Sequence, residues 1–379
     1  MKFLKGRQIL SRLALSVASI VFTLGVCEVL VRLIVPNRIA SVGVEREFFC
    51  QFDPTLGWAP IPNRTARHER DGFSVLVHQN ALGLRAADSI QPNRQSKQKR
   101  ILILGDSYVW GYGVEQWQMM TAPEVVQQSS TELINFGVSG YGTDQEYLLY
   151  SILGRKFDVD EVILVLTPYN DVEENLSADA YDHYKPFFVI ENEQLVLHTE
   201  HIQASRLRTF INYLRFHSKV INIVDRAVRN IRDWMKLRRL QGAGYPVDRP
   251  LSEADVSARD RSGVALTLRI IAALQATVTS RGAKFSVVFV PYKPHILLNV
   301  PKNHPLVPLL AHRLAAIGIT YYEPYDEFLA AQRKGASLFN RADNHFSPEG
   351  NSLFARMLVD EADRQRIFNF YDRANLPLH

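Results

Sequence analysis

Ser107, Asp343 and His345 have the side chains needed for nucleophilic catalysis by serine. Ser107 ends the triplet Gly-Asp-Ser that follows the apolar run 101–104, while Asp343 and His345 share one late loop. A serine hydroxyl is a weak nucleophile until an imidazole takes its proton and a third group fixes the imidazole tautomer. The sequence therefore predicts Ser107 as nucleophile, His345 as general base and Asp343 as the acid that orients the base.

Two further segments, Asn135 to Gly140 and Thr167 to Asp171, follow or end apolar stretches. Together with Gly105-Asp106-Ser107 and Asp343-Asn344-His345 they make four sequence blocks. With these four blocks in order, the sequence resembles the SGNH, or GDSL-type, hydrolase family, over roughly residues 99–171 and 282–362. The resemblance implies an oxyanion hole made by the backbone N–H of Ser107 together with Gly140 and Asn170. It also implies hydrolysis of esters on an α/β fold.

The last block departs from the family in its spacing. The family usually places its acid three residues before the histidine, where this chain has Ala342, and Asp343 lies two residues before His345. Residues two apart in an extended segment point to the same side. Asp343 therefore keeps the predicted role of orienting His345.

Other polar residues near these blocks have simpler interpretations. Asp106, next to the serine, is expected to brace the turn, and His295 is an alternative base without an adjacent acid. The remaining histidines lack metal-binding spacing such as H-E-x-x-H, and there is no glycine-rich phosphate loop. We expect neither a metal nor another cofactor.

The elements that must position these residues alternate along the chain. Strands are predicted at 100–104, 133–136, 161–166, 284–290 and 320–323, and helices at 117–131, 143–155, 264–280 and 305–317. This alternation predicts a three-layer α/β/α fold with a central parallel sheet, whose functional loops gather at the carboxyl ends of the strands. After His345, the run Ser347-Pro348-Glu349 predicts the start of a helix.

The N-terminus carries the features of a membrane anchor. Four basic residues within the first twelve precede an apolar span at 13–35, and the charges of Glu28 and Arg32 lie near one end of the span. The basic start predicts a cytoplasmic N-terminus and an extracytoplasmic, periplasmic catalytic domain. The alternative is a cleaved signal peptide, although no clear cleavage site follows closely. Cys27 lies in the span, so Cys50 has no disulfide partner in the outer part.

The predicted organisation follows from these features. Residues 36–98 resemble the lead-in of membrane-anchored members of the family, with Asp53 to Trp58 and Asn80 to Arg85 as shared patterns. The predicted parts are a basic tail at 1–12, a transmembrane anchor at 13–35, this lead-in at 36–98, a hydrolase domain at 99–365 with an insertion at 172–261, and a C-terminal tail at 366–379.

The insertion combines an aromatic segment, a hairpin at 189–197 and a helical stretch at about 206–240. Basic residues interleave there with apolar ones: Arg226, Arg229, Arg232, Lys236, Arg238 and Arg239 with Ile231, Trp234, Met235 and Leu237. Such a helix fits an anionic lipid surface or a charged glycan, or is a solvated basic face over the core. The net charge of +5 does not indicate a nucleic-acid partner, because basic residues at the N-terminus account for most of it.

Together these observations predict a membrane-anchored serine esterase acting on O-acyl esters, on carbohydrate or glycolipid of a cell envelope. One alternative is an O-acyltransferase that uses the same residues to acylate an envelope polysaccharide. Another is an inactive envelope scaffold, which the presence of Ser107, Asn170 and His345 disfavours.

Overall fold

The computed structural model describes most of the chain and divides it into two compact units. The described residues are 2–34, 44–70, 72–126, 131–181, 183–203, 257–300, 304–341 and 343–359, with scattered positions between 214 and 235. One unit comprises Met1–Val44, Glu69–Asp71 and Ser205–Ala243, and the other comprises the rest. The predicted tail 366–379, residue 342 and most of the predicted helix 206–240, including its arginines, lie outside the described residues.

The described helices and strands alternate through the larger unit, after a first helix that belongs to the smaller one. In chain order the helices are Lys2–Ile34 (α1), Val44–Phe49 (α2), Ser107–Trp110 (α3), Thr143–Ile152 (α4), Pro168–Glu174 (α5), Ala258–Thr279 (α6), Lys293–Leu297 (α7), Leu306–Ala316 (α8), Tyr325–Arg333 (α9) and Pro348–Val359 (α10). The strands are Cys50–Asp53 (β1), Gly57–Pro60 (β2), Thr65–Arg70 (β3), Phe73–His78 (β4), Lys99–Gly105 (β5), Thr131–Gly137 (β6), Glu161–Leu166 (β7), Asp179–Ala180 (β8), His183–Tyr184 (β9), Phe187–Glu191 (β10), Gln194–His198 (β11), Lys284–Phe289 (β12) and Thr320–Tyr322 (β13).

Five strands form a parallel sheet in the order β13-β12-β7-β5-β6. Its inner strands are buried on both faces, which is why they read as continuous apolar runs. Side chains alternate between two cores: Leu102 and Leu104 belong to one, and Ile101 and Ile103 to the other. Helices α4, α6 and α8 cover the first face, and α9 and α10 cover the second. The predicted three-layer α/β/α fold with a central parallel sheet is confirmed.

The order of the strands determines where a site can form. The chain passes from β5 to β6 on one side and then returns to β7 on the other side of β5. In open parallel sheets, such a switch point leaves a crevice beyond the carboxyl ends of the strands. The loops after β5, β6 and β7 carry Ser107, Gly140 and Asn170, so all three residues lie at this edge.

Most predicted elements are present with ends shifted by a few residues, and one is wrong. The helix expected at 117–131 is replaced by a short 3-10 turn at Gln116–Gln118, by further turns, and by β6, which begins at Thr131. Pro123 removes a backbone donor and its ring clashes with the preceding turn, which explains why a helix does not continue through this segment. The predicted hairpin in the insertion is confirmed as β10 and β11.

The lead-in packs against the loops of the sheet. Asn80 accepts hydrogen bonds from the backbone N–H groups of Leu82 and Leu84, which closes a tight turn around Gly83. That turn presents the buried guanidinium of Arg85, which donates to three carbonyl oxygens at and after the end of α3, those of Trp110, Gly111 and Val114. The Asn80 to Arg85 pattern therefore supports the chain that follows Ser107.

Two described helices are long and apolar enough to cross a membrane. In α6, half of the apolar stretch is buried, and its buried apolar side chains belong to the core. In α1, the stretch Ala14–Ile34 has a mean hydropathy of 2.2 and none of it is buried. Of these two helices, α1 is therefore the one whose apolar side chains are exposed on the protein surface.

The packing of β6 against α3 yields a prediction for Gly137. A Cβ atom there would lie 2.3 Å from the backbone nitrogen of Trp110, which has no room to move. We expect Gly137→Ala to lower the free energy of unfolding by about 3 kcal/mol, measured by thermal unfolding of the full chain in detergent. Gly318→Ala is the control, because it meets no atom within 4 Å and carries only the left-handed backbone penalty at φ +74°. Equal losses in both variants would contradict the close packing.

Candidate active site

Ser107 begins α3 just beyond β5, an inner strand of the sheet. Asp106 caps this short helix by accepting a hydrogen bond from the backbone N–H of Tyr108 at 2.9 Å. Gly105 allows the turn because a Cβ there would lie 2.4 Å from Val109 Cγ2. The turn holds the serine hydroxyl half-buried at the carboxyl edge of β5.

The late loop brings an imidazole and a carboxylate to this serine. Ser107 Oγ and His345 Nε2 are 2.7 Å apart, and His345 Nδ1 lies 3.1 Å from Asp343 Oδ1. The same carboxylate oxygen accepts the backbone N–H of His345 at 2.8 Å. The three side chains predicted from sequence thus form a continuous hydrogen-bonded chain, and the two-residue spacing brings Asp343 within reach of His345.

The loop that carries Asp343 and His345 is held from both sides. Lys293 Nζ, at the start of α7, donates to the carbonyl oxygens of Asn340 and Asp343 at 2.7 and 2.5 Å. Downstream, Ser347 Oγ accepts the backbone N–H of Gly350 at 3.0 Å and so caps α10, as the sequence predicts. The imidazole therefore projects from a short segment fixed at each end.

Two tyrosines enclose the imidazole. The ring of Tyr112 stacks on His345 with centroids 4.0 Å apart and planes 20° from parallel, and the ring of Tyr108 lies 5.1 Å away. Tyr108 also donates its hydroxyl to the carbonyl oxygen of Asn344 at 2.6 Å. An aromatic face stabilises a neighbouring positive charge, so this setting suits an imidazole that gains a proton during a reaction.

Asp343 is held in its ionised form. Burial by itself raises the pKa of this carboxyl, but hydrogen bonds from the His345 side chain and backbone, together with the histidine charge, outweigh burial. The pKa of Asp343 therefore lies below its usual value of 3.8. An ionised carboxylate on Nδ1 leaves Nε2 of His345 facing the serine as a proton acceptor.

Gly140 lies in the turn after β6 with a φ of +78°, a backbone conformation that glycine adopts readily. A Cβ there would lie 2.3 Å from Nη1 of Arg46, whose guanidinium is buried and packs 3.8 Å from the centroid of the Tyr181 ring. Arg46 also donates to the carbonyl oxygen of Ser139 at 3.5 Å. This lead-in arginine therefore closes over the turn that contains Gly140.

Asn170 lies in the first turn of α5, beyond the end of β7. Its side chain lies near the buried carboxyl of Asp106 and opposes the rise in the pKa of that carboxyl that burial causes. Asp106 therefore caps the helix that carries Ser107 and lies near the predicted third oxyanion donor. This matches the expectation that Asp106 braces the turn, since His345 pairs with Asp343.

Buried carboxyl groups lie near these loops. Both oxygens of Glu146 and one oxygen of Asp171 are buried without a hydrogen-bond partner among the described residues. Burial, and then the charges of neighbouring carboxyls, raise the pKa of each well above its usual value. Asp144 differs in having the buried ammonium of Lys185 as a direct partner. We therefore expect Glu146 and Asp171 to be largely protonated near neutral pH.

The structure also distinguishes between the two histidines that the sequence offers as general base. His295 packs its ring 5.0 Å from that of Tyr292, whereas His345 bonds to the serine. Tyr112, Lys293 and Arg46 were not predicted, since each acts through a contact that links distant parts of the sequence. Among the described residues, no group of three or more His, Cys, Asp or Glu side chains could hold a metal ion.

Comparisons with known proteins find similarity in solved structures alone. No protein-family model and no curated protein matches the chain. A member of the lipolytic protein G-D-S-L family from Veillonella parvula DSM 2008 is 12% identical, covers 69% of this chain and 97% of its own, and has a TM-score of 0.36. A lipase/acylhydrolase from Enterococcus faecalis is 13% identical, with coverage of 71% and 97% and a TM-score of 0.35. An acetyl xylan esterase is 12% identical, with coverage of 68% and 97% and a TM-score of 0.35.

The pairing of His345 predicts unequal effects of two carboxyl substitutions. We expect Asp343→Asn to lower the turnover of an aryl ester by about 10²- to 10⁴-fold, because the amide no longer fixes the imidazole tautomer or balances its charge. Asp106→Asn is the comparison and should lower turnover less, because Asp106 does not contact the imidazole ring. Steady-state kinetics on the two purified variants measures the difference. Equal turnover in Asp343→Asn and the parent would show that His345 has another partner.

The buried carboxyls predict a dependence of stability on pH. The folded chain keeps a proton on Glu146 at pH values where the unfolded chain has released it, that is above the usual pKa of 4.5. The free energy of unfolding should therefore fall as pH rises from about 5 to about 8. Glu146→Gln should reduce this fall, since the amide has no proton to release, whereas Glu173→Gln, at an exposed position in α5, should not. Thermal unfolding at both pH values checks this, and an unchanged dependence in Glu146→Gln would contradict it.

Proposed function

We propose that this protein is a serine esterase that hydrolyses O-acyl esters. The 2.7 Å contact between Ser107 Oγ and His345 Nε2, with Asp343 on the far side of the imidazole, carries the proposal. A hydroxyl so placed can transfer its proton as it attacks an ester carbonyl. An inactive scaffold has no need of this arrangement.

The reaction would proceed in two steps. Ser107 Oγ attacks the carbonyl carbon as His345 Nε2 takes its proton, and that proton passes to the departing alcohol when the ester C–O bond breaks. The acyl group is then bound to Ser107. Water attacks this second ester while His345 removes a water proton, and the proton returns to Ser107 as the carboxylic acid leaves.

Negative charge on the carbonyl oxygen develops in both steps. The proposed donors to it are the backbone N–H groups of Ser107 and Gly140 and the side-chain amide of Asn170. These residues come from the loops after three adjacent strands. Asp106 holds the loop that carries Ser107, and Arg46 holds the loop that carries Gly140. Removal of one such donor typically costs about 10²- to 10³-fold in turnover.

The proposed substrate is an acylated carbohydrate or glycolipid of a cell envelope. A half-buried aromatic cluster, beginning one residue before Asn170, supports this class: Tyr169 lies 4.9 Å from Tyr292, which lies 4.9 Å from His304. Tyr169 is hydrogen-bonded through its hydroxyl to Tyr108, which packs beside His345. Ring faces edged with hydroxyl and imidazole groups suit the apolar faces and hydroxyls of a sugar.

We also propose that α1 anchors the protein in the plasma membrane. Its stretch Ala14–Ile34 is long enough to cross a bilayer, and the basic residues before it favour a cytoplasmic N-terminus. The catalytic unit would then lie on the extracytoplasmic side, where envelope glycans are found.

The role of Ser107 can be tested directly. We expect Ser107→Ala to lose ester turnover by about 10³-fold or more and to lose labelling by a fluorophosphonate, because the nucleophile is absent. Ser280→Ala, at an exposed position, is the control and should keep both activities. Circular dichroism should show that both variants stay folded. Full activity in Ser107→Ala would overturn the assignment, and acyl transfer to an added glycan with negligible hydrolysis would favour the transferase alternative.

The anchor and its orientation can be tested on intact cells. We expect the full-length chain to remain in the membrane fraction after carbonate washing, and external protease to digest its C-terminal part once the outer layers are permeabilised. Release as a shortened, soluble chain would identify residues 13–35 as a cleaved signal peptide. Protection of the C-terminal part from protease would reverse the proposed topology.

A further inference from the structure

The smaller unit joins the apolar helix α1 to a segment far along the chain. The carboxylate of Glu28 accepts hydrogen bonds from the Ser218 hydroxyl at 2.8 Å and from the backbone N–H groups of Lys219 and Val220 at 3.0 and 3.1 Å. Arg32 donates to the same carboxylate at 2.7 Å. Ser218 in turn accepts the backbone N–H of Ile221 at 3.2 Å, so a helix begins at this point.

These contacts explain why a carboxylate is tolerated in an apolar span. An ionised group without partners is costly in a membrane. Glu28 accepts four hydrogen bonds, one from each residue of the 218–220 segment and one from Arg32. Glu28 lies six residues before the end of α1 at Ile34, about 9 Å along the helix axis. The contact therefore falls near the outer end of the proposed anchor.

The segment 218–235 exposes an apolar stripe. Its described positions from 219 onward are helical, and four large apolar side chains are well exposed: Val224 at 57%, Val228 at 42%, Ile231 at 56% and Met235 at 43%. Their spacings of four, three and four residues place them on one face of a helix. A helix that only covered a protein core would turn this face inward.

The charge of the same stretch indicates what the stripe contacts. Residues 219–235 contain four basic and two acidic residues, and Lys236, Arg238 and Arg239 follow them in the sequence. An apolar helical stripe in a stretch with an excess of Lys and Arg is typical of helices that lie in the headgroup region of an anionic bilayer. A water-soluble partner protein would not require the contact with α1.

We propose that the 218–235 segment lies in the outer headgroup region of an anionic membrane, with Val224, Val228, Ile231 and Met235 toward the acyl chains and Glu28 fixing its start to α1. The inference rests on the proposed anchoring by α1. It is independent of the proposed esterase chemistry.

A fluorescence measurement on the full-length chain tests this placement. Cys27 and Cys50 are replaced by serine, and a single cysteine at Val224→Cys or Ile231→Cys carries a nitrobenzoxadiazole label. Ser96→Cys, in an exposed loop of the other unit, is the matched control. The proteins are reconstituted in phosphatidylcholine vesicles with and without phosphatidylglycerol. Quenching is measured with spin-labelled acyl chains and with aqueous iodide.

We expect acyl-chain quenching at positions 224 and 231 to exceed that at position 96 by about twofold or more, and to increase with phosphatidylglycerol. Iodide should quench mainly the label at position 96. Adding Ile231→Asp to the Val224→Cys protein should abolish acyl-chain quenching while leaving turnover of a soluble ester unchanged, since Ile231 has no role in the chemistry proposed above.

Three results distinguish the separate claims. Labels at positions 224 and 231 that are as open to iodide as the control would overturn the proposal. Protection from iodide that grows with protein concentration, without acyl-chain quenching, would overturn it in favour of a second copy of the chain. Acyl-chain quenching before a carbonate wash that then removes the chain would uphold the surface contact and refute the anchor, and ester turnover reports on Ser107 in every case.

Discussion

The hydrogen bond between Ser107 and His345 joins two loops that lie 238 residues apart in sequence. A contact of 2.7 Å over this separation requires both loops to be fixed to about half an ångström. The parallel sheet provides the first constraint, because β5 ends between β6 and β7 and so presents Ser107 at a fixed edge. The second loop is held by Lys293 before Asp343 and by the Ser347 cap after His345. The position of each loop is therefore fixed by residues outside the loop as well as by its own sequence.

The packing around this edge leaves little room for variation. Gly105 and Gly137 lie so close to α3 that a methyl group at either position would overlap Val109 or the backbone of Trp110. The lead-in adds Arg85 beneath the chain after α3 and Arg46 over the turn at Gly140. Buried guanidinium groups are costly to desolvate, but carbonyl oxygens at loop ends supply acceptors that the sheet itself cannot. The lead-in is therefore part of the support of the site as well as a connection to α1.

The sheet, the cap of α10 and the three hydrogen-bonded side chains Ser107, Asp343 and His345 could be predicted from the sequence, because each depends on local signals. Apolar runs identified β5, β6, β7 and β12, and Ser347-Pro348 identified the start of a helix. The prediction of a helix at 117–131 was wrong, because Pro123 lacks a backbone donor and its ring clashes with the preceding turn. Tyr112 and Lys293 could not be found, since a ring stacked on His345 and an ammonium bonded to a loop carbonyl leave no pattern in the neighbouring sequence. Among the described residues the buried carboxyl of Glu146 has no hydrogen-bond partner. The sequence of α4 could not predict this, because it does not show which of its polar side chains are buried.

The contact between Glu28 and the 218–235 segment affects how a soluble form of this protein can be made. Removal of residues 1–35 takes away Glu28, the acceptor of the Ser218 hydroxyl and of two backbone N–H groups, and it leaves the apolar stripe facing water. Because its apolar stripe would be exposed to water, such a shortened chain would self-associate or adsorb to surfaces, even with the site around Ser107 intact. Crystallisation or enzymology of a soluble form therefore requires Val224, Val228, Ile231 and Met235 to be replaced by polar residues along with removal of α1.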